Sequence, residues 1–160
     1  MPPRFFLCAA AAVLILPACS GHKAHTFSDR STGLSFRYPQ EWTTTGFSRS
    51  NSPHRVVVAS YRVRPSEVEG DCGGSAALRR LPQGGAAVLL IDYGAGQGFP
   101  RHPSVFRLAQ FQRGDYECFG KSYMLRFQRG GHDIQAHVAV GDTADASKRT
   151  EALRILDSLG

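Results

Sequence analysis

Two neighbouring stretches near the C-terminus, in which apolar residues recur at every second position, constrain the fold of this chain most. One covers Tyr123–Phe127 and the other Ile134–Val140, and two glycines, Gly130 and Gly131, stand between them. A period of two is typical of a strand with one buried face. Glycines between two such runs favour a hairpin turn. The sequence therefore predicts an antiparallel hairpin in the last third of the chain.

Further strands are predicted along the rest of the chain. The run Ala86–Tyr93 is almost wholly apolar, which is typical of a central strand covered on both faces. Alternation also predicts strands at residues 26–28, 34–38 and 56–63, and shorter ones at 106–111 and 116–119. The polar residues 43–52 are predicted to form a loop.

Two helices complete the expected architecture. Ser75–Leu81 fits two turns of helix, and the last helix should begin after Asp142 or Thr143, with leucines at helical spacing towards the C-terminus. We therefore predict an α+β fold in which a central antiparallel β-sheet is flanked by helices, including a C-terminal helix. The length suits one domain, which we place at residues 26–160.

The first eighteen residues have the layout of a secretory signal. One positive charge, Arg4, precedes the apolar run Phe5–Leu16, and small residues follow. Twelve apolar residues are too few for a permanent membrane-spanning helix, which needs about 20. Residues 1–18 are therefore interpreted as a signal peptide.

The end of this leader resembles the bacterial lipobox, in which a small residue precedes a cysteine that receives a diacylglycerol. The matching residues are Leu16-Pro17-Ala18-Cys19, and the pattern departs from the motif at Pro17. The resemblance implies lipidation at Cys19, with residues 19–25 holding the lipidated cysteine and a short tether. It also implies a location at the cell membrane, facing outside the cytoplasm. The alternative is ordinary signal cleavage after Ser20.

The cysteine count fits export. The chain has four cysteines, of which Cys8 lies in the leader and Cys19 would be acylated. The remaining pair, Cys72 and Cys118, can stay bridged in an oxidising compartment. A metal site would need further ligands at set spacing, and neither cysteine has a histidine or another cysteine nearby. We predict a Cys72–Cys118 disulfide, no metal site and no cofactor.

A second resemblance concerns the start of the domain. The segment that begins at Phe27 and contains Gly33-Leu34-Ser35-Phe36-Arg37-Tyr38-Pro39 and Trp42 resembles the opening of PsbP-like domains. This superfamily includes the yeast Ran-binding Mog protein and bacterial lipoproteins of the LpqN type. The closing residues 155–159 are similar to the terminal helix of those domains. The resemblance implies a central antiparallel sheet flanked by helices and implies no particular activity.

No catalytic constellation is evident in the sequence. The glycines of residues 94–98 do not form a dinucleotide motif, because Phe99 replaces the third glycine and prolines follow. Ser104 beside Arg101 and His102 is the nearest approach to a reactive cluster, and no G-x-S-x-G elbow surrounds any serine. We therefore predict that the protein is not an enzyme.

The charge distribution indicates the class of partner. The chain has a formal net charge of +6, yet its arginines are scattered and form no basic run, which argues against nucleic-acid binding. Arg37, Arg62 and Arg126 fall on the polar phase of their predicted strands. If those strands are neighbours, the three arginines would form an anion-binding patch. The alternative is a solvated face with three unrelated arginines.

Together these features predict an exported, membrane-anchored lipoprotein whose domain binds a ligand or a partner protein in the cell envelope. The expected partners are the membrane, through the anchor, and an envelope protein or an anionic ligand. Two alternatives stay open, namely an envelope-acting enzyme that uses the loop at residues 94–104 and a structural accessory subunit of an envelope complex.

Overall fold

A computed structural model describes residues 23–47, 53–70 and 72–160 of the chain. The predicted signal peptide and the predicted lipidation site Cys19 lie outside these described residues. The strands are β1 (Ala24–Ser28), β2 (Ser35–Pro39), β3 (Thr43–Phe47), β4 (His54–Ala59), β5 (Ala86–Asp92), β6 (Gln112–Tyr116), β7 (Gly120–Arg129) and β8 (His132–Val140). The α-helices are α1 (Ser75–Arg79) and α2 (Ala146–Asp157), and two short 3-10 helices cover Pro65–Glu67 and Leu108–Gln110.

The eight strands form two antiparallel sheets. Strands β1 and β2 pair in a small sheet, and the other six form a sheet in the order β3-β4-β5-β8-β7-β6. The predicted hairpin is present, since β7 pairs with β8 through Phe127 opposite Ile134, with the turn at residues 130–131. The predicted α+β class, with an antiparallel sheet and a C-terminal helix, is confirmed, and the protein is mostly β.

One face of the large sheet packs against α2 and the β1–β2 hairpin. Its core contains Val58, Leu90 and Val138 from the sheet and Ile155 and Leu156 from α2. Residues 152, 155, 156 and 159 follow helical spacing, which turns one stripe of the helix towards the sheet. Within the described residues, neither helix has the length and apolarity to cross a bilayer.

The opposite face of the sheet is covered by α1 and the segment around it. Val57 and Leu89 on the sheet pack with Val68, Ala77 and Leu78 from that segment. Cys72 and Cys118 lie at disulfide distance, with their Cα atoms 5.4 Å apart. The bridge ties the segment before α1 to the turn between β6 and β7, so it fastens this cover to the sheet.

Several boundaries differ from the predictions. Strand β1 begins at Ala24, two residues before the predicted start of the domain, because Ala24 and His25 pair with Pro39 and Tyr38. The segment 43–52, predicted as a loop, contains the edge strand β3. Its threonines suit a half-exposed strand, and pairing with β4 supplies the backbone partners that the polar sequence concealed.

The region after β5 also departs from the predictions. Residues 106–111 form no strand, since Leu108–Gln110 form a short 3-10 helix, and β6 lies mostly between the two short strands predicted at 106–111 and 116–119. Of the predicted strand 116–119, only Tyr116 lies in a strand, at the end of β6, and residues 117–119 form the turn before β7. The sequence does not predict β6, because β6 is an exposed edge strand and its side chains carry little apolar periodicity.

Candidate functional site

The strongest candidate binding site is a groove between the β1–β2 hairpin and α2. Its volume is about 330 Å³. The residues that line it come from β1, β2, the C-terminal half of α2 and the positions next to them, and they are Lys23, Ala24, Arg37, Tyr38, Pro39, Glu151, Arg154, Ile155, Asp157 and Ser158.

Local sequence explains how these side chains reach the groove. Alternation in β2 buries Phe36 in the core and leaves Arg37 exposed. Ser158 then locks the end of α2 onto β2, since its hydroxyl accepts the Arg37 N–H at 2.8 Å. The backbone N–H of Gly160 donates to the Ser35 carbonyl at 2.9 Å. The helix end and the strand are thus held at a fixed separation, and the groove lies between them.

The acidic side chains of the groove already have partners. Glu151 Oε2 accepts hydrogen bonds from the Trp42 indole at 3.0 Å and from Lys148 Nζ at 2.9 Å. Asp157 Oδ1 accepts the Phe106 N–H at 2.7 Å.

The cationic side chains of the groove stand in contrast. Among the described residues, the side chains of Lys23, Arg37 and Arg154 make no hydrogen bond or ion pair. All three are exposed at the rim of the groove. The carbonyls at the end of α2 do not take up these cations, because two of those carbonyls already accept the Ser158 N–H. The groove therefore presents three available cations.

Apolar surface lies beside these cations. Ile155 is 1% exposed and forms part of the core beneath the groove, while Tyr38 and Pro39 are half-buried at its side. The rings of Tyr38 and His25 lie 5.6 Å apart between their centroids. A groove of this kind suits a ligand with one anionic group and one apolar part, because Arg forms a planar fork that matches carboxylate or phosphate.

A second polar cluster lies inside the protein, on the face of β8 opposite α2. His137 is fully buried, its Nδ1 lies 3.0 Å from Ser122 Oγ, and its Nε2 lies 2.8 Å from Gln135 Nε2. Arg126 Nε donates to Gln135 Oε1 at 2.9 Å. The rings of Tyr116 and Phe119 pack against the imidazole. These contacts form one chain, which we call the His137 network.

The His137 network has only one consistent set of donors and acceptors. Arg126 can only donate, so the Gln135 atom that it contacts is the oxygen, and the Gln135 amide nitrogen donates to His137 Nε2. His137 therefore carries its proton on Nδ1 and donates to Ser122. The histidine nitrogen that faces Ser122 cannot accept the hydroxyl proton, so the pair lacks the arrangement of a nucleophile and its base.

Burial also keeps this imidazole neutral. Desolvation, assisted by the charge of Arg126, lowers the pKa of His137 to about 4. A neutral imidazole whose two ring nitrogens are both hydrogen-bonded suits a structural role in the sheet.

The glycine-rich loop after β5 is fastened to the end of the sheet. The carboxylate of Asp133, which is fully buried, accepts the backbone N–H groups of Gln97 at 2.6 Å and Phe99 at 3.1 Å. Gln128 N–H donates to the Pro100 carbonyl at 2.6 Å, next to a short parallel bridge between Arg101 and Gln128. The protein's own carboxylate thus occupies the amides that a dinucleotide loop would offer to phosphate.

The residues of the enzyme alternative do not assemble. Arg129 donates to His102 Nε2 at 2.8 Å, and His102 Nδ1 lies 2.6 Å from the Pro103 carbonyl. In the described part of the chain the Ser104 side chain makes no hydrogen bond, and no carboxylate contacts His102.

The structure does not bring the three predicted anion-binding arginines together. Arg37 lies on β2 in the small sheet, Arg126 lies on β7 in the large sheet, and Arg62 follows the end of β4. Arg126 is engaged by Gln135 and also stands over the Phe99 ring at 5.6 Å. The shared patch is therefore not formed, because the strands that carry these residues are not neighbours. Only Arg37 lines the groove.

Sequence reasoning did not predict which other cations lie near Arg37. The sequence places Lys23 in the predicted tether and Arg154 in the predicted last helix, and no short-range pattern connects either to residue 37. A weak signal existed, since the stripe 152, 155, 156 and 159 defines the buried face of α2 and places residue 154 beside it.

A search among protein-family models, characterised proteins and solved structures gives no match to this chain. The resemblance to PsbP-like domains and to LpqN-type lipoproteins therefore stays a prediction. Among residues 23–47, 53–70 and 72–160, no three His, Cys, Asp or Glu side chains cluster in a way that could hold a metal ion.

Proposed function

We propose that this chain is an exported lipoprotein, anchored through Cys19, whose domain binds an anionic ligand in the groove without chemical conversion. The observation that carries the proposal is the set of three cations, Lys23, Arg37 and Arg154, that have no partner among the described residues and lie beside apolar surface. Cations left without partners are available to a ligand, and charge-assisted hydrogen bonds to anions are among the stronger polar contacts in proteins.

The predicted anchor lies close to the groove along the chain. The Lys23 carbonyl accepts the Gln40 N–H at 3.1 Å, so the chain is already held at the domain at this residue. Only residues 20–22 separate Lys23 from Cys19. Four Cα–Cα steps span at most about 14 Å. An acylated Cys19 would therefore hold the groove close to the membrane.

Changing Cys19 to alanine should abolish incorporation of radiolabelled fatty acid and release the protein from the membrane fraction. Cys8→Ala is the matched control, since Cys8 lies inside the leader and should be discarded with it. Labelling that persists in the Cys19→Ala protein would place the lipid on another residue and contradict the anchor. No labelling of the wild type would favour cleavage after Ser20, which removes Cys19.

Phenyl phosphate should bind the lipidated chain in a neutral detergent at least about tenfold more tightly than phenyl glucoside, which has the same ring without the charge. The emission of Trp42, the only tryptophan, is a suitable readout because its indole binds Glu151 at the groove. The double variant Arg37→Gln/Arg154→Gln should lose the preference for the phosphate. Both side chains are exposed, so the variant should fold normally.

Arg30→Gln/Arg62→Gln is the control for that titration. It removes two exposed arginines that do not line the groove and leaves the same net charge as the test variant. Equal loss of phosphate binding in both double variants would show a non-specific charge effect and refute the groove as the site.

A further inference from the structure

We infer that the groove binds the phosphate of an anionic phospholipid in the membrane that carries the anchor, and that this contact orients the domain on the bilayer. The inference rests on the proposed function and names its ligand. The groove is then a second point of attachment to the membrane, in addition to the lipid on Cys19, and does not serve a soluble ligand.

The position of the groove along the chain favours contact with the membrane. Lys23 both lines the groove and continues into the short segment that leads to Cys19. A tether of about 14 Å is far shorter than a domain of this size is wide. The surface nearest the lipid is then the surface around Lys23.

The chemistry of that surface also suits the phosphate of a lipid headgroup. Phosphate recognition needs cations, which Lys23, Arg37 and Arg154 supply without rearranging any contact in the described structure. Basic side chains near an anionic leaflet are attracted to it at close range. Tyr38, half-buried beside them, has the amphipathic ring that favours the boundary between lipid and water.

Cations elsewhere on the domain are less available to a lipid phosphate. The groove provides a localised basic site, whereas Arg80, next to α1, pairs with Glu67 and Arg126 of β7 donates to Gln135.

The test uses the lipidated full chain in vesicles and measures how fast each lysine is acetylated by a neutral reagent, acetic anhydride. The chain has three lysines, Lys23, Lys121 and Lys148. Lys121 is exposed on β7 and is the internal control. Vesicles of phosphatidylcholine alone are compared with vesicles that contain one third phosphatidylglycerol.

We expect acetylation of Lys23 to slow about fivefold in the phosphatidylglycerol vesicles, with the rate at Lys121 unchanged. In the Arg37→Gln/Arg154→Gln variant this slowing should disappear, although the anchor and the surface potential of the vesicle stay the same. The Arg30→Gln/Arg62→Gln variant should behave as the wild type.

Two results would overturn the inference. Equal acetylation of Lys23 in both kinds of vesicle would show that the groove does not bind the headgroup. Slowing in phosphatidylcholine vesicles on addition of inorganic phosphate, without any added effect of phosphatidylglycerol, would assign the site to free phosphate. In either case binding of phenyl phosphate in detergent would leave the proposed function standing, and its absence would refute that function separately.

Discussion

Replacing both Cys72 and Cys118 with serine should lower the free energy of unfolding by about 4 kcal/mol. The bridge joins residues 46 apart in the sequence, and closing a loop of that length removes about this much conformational entropy, as free energy, from the unfolded chain. Equilibrium urea unfolding at pH 7 would measure the change. A domain of this size is stable by only about 5–15 kcal/mol, so the loss would be a large share of the total.

The structure also locates where this loss should be felt. The bridge fastens the cover formed by α1 and its neighbours onto Val57 and Leu89 of the sheet. Deuterium uptake should therefore rise first at the amides of residues 72–81, while the α2 face stays protected.

The single variants Cys72→Ser and Cys118→Ser provide the control, because each removes the same bridge and should lose about as much stability as the double variant. A reducing agent should destabilise the wild type and leave the double variant unchanged. A double variant within 1 kcal/mol of the wild type would contradict the assigned bridge.

Lowering the pH from 7 to 4.5 should cost the protein about 2 kcal/mol through His137 alone. In the native state burial lowers the pKa of His137 to about 4, whereas in the unfolded chain a histidine has a pKa of about 6.5. Between these values the unfolded state binds a proton that the native state does not. The contribution of His137 to the free energy of unfolding is therefore complete above about pH 7 and is lost as the pH falls towards 4.

Urea unfolding at the two pH values, compared with His137→Gln, would measure this contribution. The variant cannot titrate at residue 137, so its loss of stability on acidification should be smaller than that of the wild type by about 2 kcal/mol. Acidic groups contribute equally to both proteins. His25→Gln, at an exposed position of β1, is the control and should keep the wild-type dependence. Identical pH dependence in wild type and His137→Gln would show that His137 is not buried in neutral form.

The same residue shows what an alternating pattern can and cannot indicate. Alternation in β8 correctly predicts a strand, and by itself it indicates one buried face and one exposed face. The structure instead buries both faces, since Ala136 and Val138 contact the α2 side while Gln135 and His137 lie within the His137 network. Polar residues at alternate positions can thus mark a satisfied buried network, and no single sequence distinguishes that from contact with water.

The edges of the sheet were the least predictable elements. Strands β7 and β8 carry an apolar periodicity, and β5 a continuous apolar run, because packing on a core selects apolar side chains there. Strands β3 and β6 lie at the two edges, where backbone pairing with one neighbour is enough to form the strand. Their polar sequences accordingly resembled loops. The glycine-rich loop after β5 was equally hard to predict. Its backbone N–H groups bind the carboxylate of Asp133, which lies more than thirty residues away in the sequence.

What the sequence determined by itself was local or countable. The pattern of apolar residues predicted the class of fold, the central strands and the C-terminal helix, because the burial of one face of a strand or helix is visible within a few residues of sequence. The tertiary structure decided which side chains share a surface. It placed Arg37 with Lys23 and Arg154 instead of with Arg62 and Arg126, because strand order and helix docking set proximity between residues distant in the chain, and neither property is written in any short stretch of it.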